Sequence, residues 1–124
     1  MKFTPKRITR LVPDEHGLQV TLLNYLLQAH QKDLYCFAIP NAGKRGFQTA
    51  ARMRAEGLRA GVADLCVMMQ KGRVCWLELK SEKGRSSSAQ NSFGEICKVL
   101  GHSYAVVHNF DEALDALRIF GAIE

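Results

Sequence analysis

Asp64, Glu78 and Lys80 are the residues whose types and spacing suggest chemistry. They belong to the stretch GVADLCVMMQKGRVCWLELK, Gly61–Lys80, in which two apolar runs, Asp64–Met69 and Val74–Lys80, flank the polar segment Gln70–Arg73. That pattern predicts a β-hairpin. A three-residue loop of Gln70, Lys71 and Gly72, with Gly72 in the left-handed conformation, sets Asp64 directly opposite Glu78. Residues opposite each other on paired strands lie about 5 Å apart, and Lys80 falls on the same face about 7 Å further along. Two carboxylates with a cation beside them form a small divalent-metal site. A two-residue Lys71-Gly72 loop instead sets Asp64 opposite Leu79 and turns it away from Glu78. Charged residues that merely solvate strand ends also produce a D…ExK pattern.

The elements that must hold these residues can be read outward from the hairpin. Asp14 is placed to cap a helix running to about Gln31, with Leu22, Leu26 and Ala29 marking its apolar stripe and Leu18 and Tyr25 widening it. Helical spacing puts Gln19 and Glu15 near that stripe, although Glu15 also suits the positive helix N-terminus. Tyr35–Ile39 reads as a short strand ended by Pro40, followed by the loop from Asn41 to Gly46 with Lys44 and Arg45. This loop lacks the GxxxxGK[ST] pattern of a phosphate-binding P-loop. A helix from about Phe47 to Glu56 stops at Gly57 and carries Arg52 and Arg54.

Beyond Lys80, the polar loop SEKGRSSS brings Lys83 and Arg85. Ser87 or Ser88 caps the next helix, which ends at Gly101 and has Phe93, Ile96, Cys97 and Leu100 as its expected core face. Gln90 lies on that face at the helix N-terminus, where it also suits a capping box with Ser87. Tyr104–His108 forms a last strand, and Asn109, with Glu112 in the capping-box position, opens a final helix with Leu114, Leu117 and Phe120 inward. The order helix, strand, helix, hairpin, helix, strand, helix makes an α/β sandwich. Glu15, the hairpin pair and Gln90 then converge on one cleft.

Composition narrows the classes. A chain of 124 residues with 47% hydrophobic and 23% charged residues suits one globular domain, 14–124, behind a basic arm, 1–13, containing Lys2, Lys6, Arg7 and Arg10. Cys36, Cys66, Cys75 and Cys97 have no zinc-like spacing and fall in apolar patterns, as reduced core thiols do. His16, His30, His102 and His108 likewise show no ligand spacing. With no membrane-length apolar run and no signal-peptide core, a cytosolic or nuclear setting is expected, or the interior of a host cell for a viral protein. The net charge of +5 is concentrated before the C-terminal helix, where Asp111, Glu112, Asp115 and Glu124 outnumber Arg118. A polyanionic partner follows, nucleic acid first.

The ordered set Glu15, Asp64, Glu78, Lys80 and Gln90 resembles the PD-(D/E)XK nuclease superfamily, and more narrowly its VRR-NUC (virus-type replication-repair nuclease) group. The resemblance runs over residues 14–108, through Asn41 in PNAGKRG, EGLRAGVADLCV, WLELKSEKGRSSSAQ and GHSYAVV. It implies a restriction-endonuclease-like core, a mixed four-stranded sheet flanked by helices. It implies Asp64, Glu78 and the Leu79 carbonyl as ligands of Mg²⁺ or Mn²⁺, with Glu15 as an optional further ligand. Lys80 would orient the attacking water and stabilise the phosphate, and Gln90 would complete the site. Asn41, Lys44, Arg45, Arg52, Lys83 and Arg85 are the expected nucleic-acid contacts. Ala63 stands where the superfamily's name has proline, and no DNA-binding module is attached. Similar stand-alone members are dimeric and act on branched DNA, so the expected activity is endonucleolytic cleavage of four-way junctions by a homodimer. A flap or nicking nuclease with little structural preference is the alternative, and a non-catalytic nucleic-acid-binding module is a third.

Overall fold

The computed structural model describes residues 14–40 and 46–124. The basic arm and the expected contacts Asn41, Lys44 and Arg45 lie outside them. Helix α1 spans Glu15–Ala29, strand β1 Leu34–Ala38, helix α2 Phe47–Ala55, strands β2 and β3 Leu65–Met69 and Val74–Leu79. Helix α3 spans Ser88–Leu100, strand β4 Ser103–Val107 and helix α4 Phe110–Ile119. The four strands form one mixed sheet in the order β1-β2-β3-β4, antiparallel except for the parallel pair β3–β4. Each predicted element is present, with ends displaced by one or two residues.

The hairpin takes the three-residue loop. Leu65 pairs with Leu77, Cys66 with Trp76, Val67 with Cys75 and Met68 with Val74. Extending this register by one rung sets Asp64 opposite Glu78. Gly72 is left-handed at φ 72°, as such a loop requires, and Lys71 joins it at φ 65°.

Period-two alternation sorts the strands into two faces. One buries Leu65, Val67, Met69, Cys75, Leu77, Leu79 and Val107 against Leu18, Leu22 and Leu26 of α1 and Ala113, Leu114 and Leu117 of α4. The opposite face carries Trp76, Glu78 and Tyr104. There α3 covers β3 and β4, with Phe93 edge-on to both Trp76 and Tyr104 at ring separations of 5.7 Å. Helix α3 meets the sheet closely through Gly94, where a Cβ would lie 3.0 Å from the Tyr104 ring.

This close approach corrects the expected α3 core face. Cys97 is buried and Phe93 half-buried, but Ile96 and Leu100 are 54% and 68% exposed, beside Val99 at 81%. Contact along the line of Gln90, Gly94 and Cys97 rotates Ile96 and Leu100 outward. In α1, Leu18, Leu22 and Leu26 are buried as expected, whereas Ala29 is exposed. The four cysteines are free. Burial first, then neighbouring thiols, pushes Cys36 up to about 12, and Cys75 rises to about 12 mainly through burial. Both therefore stay protonated at neutral pH. Among the described residues no helix is long and apolar enough to cross a membrane.

Candidate active site

Glu78 is the only charged side chain buried among the described residues, at 1% exposure. A carboxylate in that position needs partners or a proton. Its Oε2 receives the Gln90 side-chain amide and lies 3.4 Å from Lys80 Nζ. Its Oε1 is buried with no described partner. Burial above all, then the negative charge of Asp64, pushes the Glu78 carboxyl up to about 7, against the attraction of Lys80.

Each partner is fixed by local sequence. Ser87 caps α3 by accepting from the Gln90 backbone, and Gln90 Oε1 returns the bond by accepting from Ser87 N at 2.8 Å. The capping box occupies only the oxygen of the Gln90 amide, so its nitrogen is free to reach Glu78. Gln90 thus serves the helix and the site together. Lys80 follows β3 directly, its amide held by the Val107 carbonyl at 2.9 Å.

Asp64 precedes β2 and accepts from the Leu79 amide through Oδ2 at 2.8 Å. In an extended strand the N–H and C=O of one residue point the same way, so the Leu79 carbonyl faces the Asp64 side. The Lys80 amide points oppositely, toward β4, as a trans peptide dictates. Two carboxylates, one with a free buried oxygen, and a neighbouring carbonyl form a hard-oxygen donor set. That set fits Mg²⁺ or Mn²⁺. Among the described residues no three His, Cys, Asp or Glu side chains gather into a metal cluster, so a metal here relies on the backbone and on water for its other ligands.

Glu15 stands exposed on the first turn of α1, beside the Asp14 cap that accepts from Gly17 at 2.8 Å. No described contact joins it to Glu78. Arg52, Lys83 and Arg85 are exposed, the first on α2 and the other two on the loop between Lys80 and Gln90.

Three features escaped the sequence reading. Gly61, at φ 82°, lies directly against the backbone of Ala89, joining the approach to Asp64 to the start of α3. His108 stands between Glu112 Oε1, 3.1 Å from Nδ1, and the Gly84 carbonyl, 3.2 Å from Nε2, which ties the Lys83–Arg85 loop to α4. Glu112 Oε1 accepts from the His108 backbone N–H at 3.0 Å, where a capping box would use the backbone N–H of Asn109, and its Oε2 accepts from the Asn109 side-chain amide at 3.3 Å. Tyr104 holds a buried hydroxyl with no described partner. Its ionisation is pushed up to about 12 by burial and then by the Glu78 charge. The glycine in GVAD and the run VVHNFDE held the only signals for the first two, and neither has a pattern that names its distant partner.

No protein-family model matches the sequence, and none of the curated proteins matches it. Among solved structures, a "VRR_NUC domain protein" superposes with a TM-score of 0.71 over 87% of this chain and 88% of that chain, at 18% identity. The chain therefore has the fold of a VRR_NUC domain protein.

Proposed function

We propose that this protein is a divalent-metal-dependent DNA endonuclease that cleaves branched DNA, four-way junctions foremost. The observation that carries this reading is Glu78, a buried carboxylate opposite Asp64 with one oxygen engaged by Gln90 and Lys80 and the other without a partner among the described residues. A basic binding module would gain nothing from burying such a group, whose cost only a cation or proton offsets.

Asp64, Glu78 and the Leu79 carbonyl would hold the metal. When bound, Mg²⁺ or Mn²⁺ polarises a phosphoryl oxygen and makes hydroxide available near neutral pH. The chain's own residues set the geometry. Gln90 fixes the Glu78 rotamer, and the Leu79 amide fixes Asp64. Lys80 places its amine beside the reacting phosphate, where it meets the negative charge that builds as water adds to phosphorus and the ester oxygen leaves. Arg52, Lys83 and Arg85, with Asn41, Lys44 and Arg45, hold the flanking phosphates. A second copy of the chain would set a matching site at the symmetry-related strand of a junction.

The test is cleavage of labelled junction, flap and linear duplex DNA by purified protein with Mn²⁺, alongside Asp64→Asn. Junction cleavage that exceeds duplex cleavage and vanishes in Asp64→Asn, with DNA binding retained, supports the proposal. Full activity in Asp64→Asn overturns the site, and equal cutting of all three substrates overturns the branched preference.

A further inference from the structure

The sheet face that bears the catalytic carboxylates does not end with them. The pairing places Tyr35 and Phe37 of β1 beside Met68 and Cys66 of β2. Cys66 and Met68 lie two and four residues after Asp64, on the same side of the strand. Tyr35, Phe37 and Met68 therefore share a face with Asp64 and Glu78. Helix α3 covers this face over β3 and β4, and Cys66 on β2 is buried, whereas among the described residues Tyr35, Phe37 and Met68 around it are exposed. Tyr35 is 67% exposed, Met68 50% and Phe37 38%. The two rings lie side by side with centroids 5.9 Å apart and planes tilted by 38°, so neither stacks on the other.

We infer that Tyr35 and Phe37 form a base-stacking platform for an unpaired nucleic-acid strand leaving the cleavage site. This rests on the nuclease reading above and names the part of the substrate that the site grips. Three considerations favour such an occupant. Flat aromatic rings at a sheet surface suit bases, each of which has a π-face, and stacking on them is tolerant of sequence. The spacing also fits. At a rise of about 3.4 Å per residue, Phe37 and Tyr35 lie about 7 and 14 Å from the Asp64 rung. An unstacked strand spaces its bases by roughly twice the 3.4 Å of a duplex strand, so two successive nucleotides beyond the site reach the two rings. Finally, the net charge of +5 attracts a polyanion to a platform that is itself uncharged. Branch points and flaps supply the unstacked bases, and an intact duplex does not.

The experiment uses 2-aminopurine placed at successive positions in the single-stranded arm of a branched substrate. Wild-type protein binds it in EDTA, which prevents cleavage. Quenching of the probe at two adjacent positions is expected, and Phe37→Ala and Tyr35→Ala should each abolish it at one position. Each should also weaken single-strand binding on the order of 10-fold while leaving duplex binding unchanged, and Tyr35→Trp should restore the quenching. A protein that cuts DNA with Mn²⁺ yet leaves every probe position unquenched overturns the platform alone. So does Tyr35→Ala that weakens duplex and single strand equally, or that changes the molar mass in light scattering, since the face would then belong to a second copy. A protein that neither binds nor cuts any DNA overturns the nuclease reading together with the platform.

Discussion

Gly61 and Ala89 touch backbone to backbone, and this contact sets the distance between the two halves of the candidate active site. A Cβ on Gly61 would collide with the Ala89 carbonyl group and come within 2.7 Å of the Gln90 nitrogen. Gly61 also has φ 82°, where a side chain adds backbone strain. Gly61→Ala must therefore push the start of α3 away from the approach to Asp64 and draw Gln90 off Glu78. Its expected cost is about 2–4 kcal/mol, from strain and displaced backbone together. Thermal unfolding and cleavage assays on Gly61→Ala and Gln90→Ala check this. Gly61→Ala should be the less stable of the two and at least as deficient in cleavage. Unchanged melting would mean that the contact positions nothing.

Glu78 gives the fold a definite pH dependence. Its carboxyl is raised from 4.5 to about 7, chiefly by burial and then by Asp64. The unfolded chain thus releases this proton near its ordinary value while the folded chain keeps it, so stability falls as pH rises between those values. The loss is on the order of 3 kcal/mol at pH 8, complete just above neutrality and absent below about pH 4. Glu78→Gln removes the charge and should melt higher than wild type at pH 8, with the advantage shrinking toward pH 5. Mn²⁺ should stabilise wild type more at pH 8 than at pH 5, because it binds the carboxylate. Denaturant titrations across this range decide both points, and a wild type that grows more stable from pH 5 to pH 8 in EDTA would contradict the assignment.

The hairpin register was legible because its loop chemistry and its chemical logic agree. Gly72 demanded a left-handed position, and only the three-residue loop sets Asp64 against Glu78. Gln90 was legible for a similar reason, since the capping box and the site use different atoms of one amide. The outward turn of Ile96 and Leu100 was not legible. Apolar spacing defines a stripe on a helix but not the line along which the helix meets its sheet. Here Gly94 against Tyr104 decides that line, a contact between residues with no shared local pattern. The exposed rings of Tyr35 and Phe37 were hidden likewise, because an apolar strand reads the same whether its second face is covered or open.

Lys80 is expected to act on chemistry more than on metal. It lies 3.4 Å from Glu78 Oε2, the oxygen that Gln90 also holds, while Oε1 has no partner among the described residues. Lys80→Ala removes an attraction that holds the Glu78 carboxyl down, so it should retain Mn²⁺ affinity by calorimetry once the pH is raised to offset that loss, and still lose cleavage on the order of 10²-fold. Loss of Mn²⁺ binding in parallel would make Lys80 a counter-ion of the carboxylates and nothing more.

The last prediction concerns assembly. The apolar side chains at the C-terminal helix are largely spent within the chain, since Leu114 and Leu117 are buried and Phe120 packs against the core, leaving Ile119 exposed. A larger aliphatic surface stands on α3, where Ile96, Val99 and Leu100 are all more than half exposed. Aliphatic side chains offer no stacking face to a base, so this surface suits protein better than nucleic acid. A self-complementary patch closes naturally into a two-fold dimer. Light scattering of the wild type should accordingly give twice the 13.9 kDa of one chain. Val99→Glu, at a position 81% exposed, should yield a single chain that keeps its fold by circular dichroism and melts lower than wild type only by the stabilisation the dimer contributes. Cuts on the two symmetric strands of a junction should then become independent nicks. A wild type that runs as a single chain and still makes paired cuts would refute the dimer. A Val99→Glu protein that stays dimeric would place the interface elsewhere.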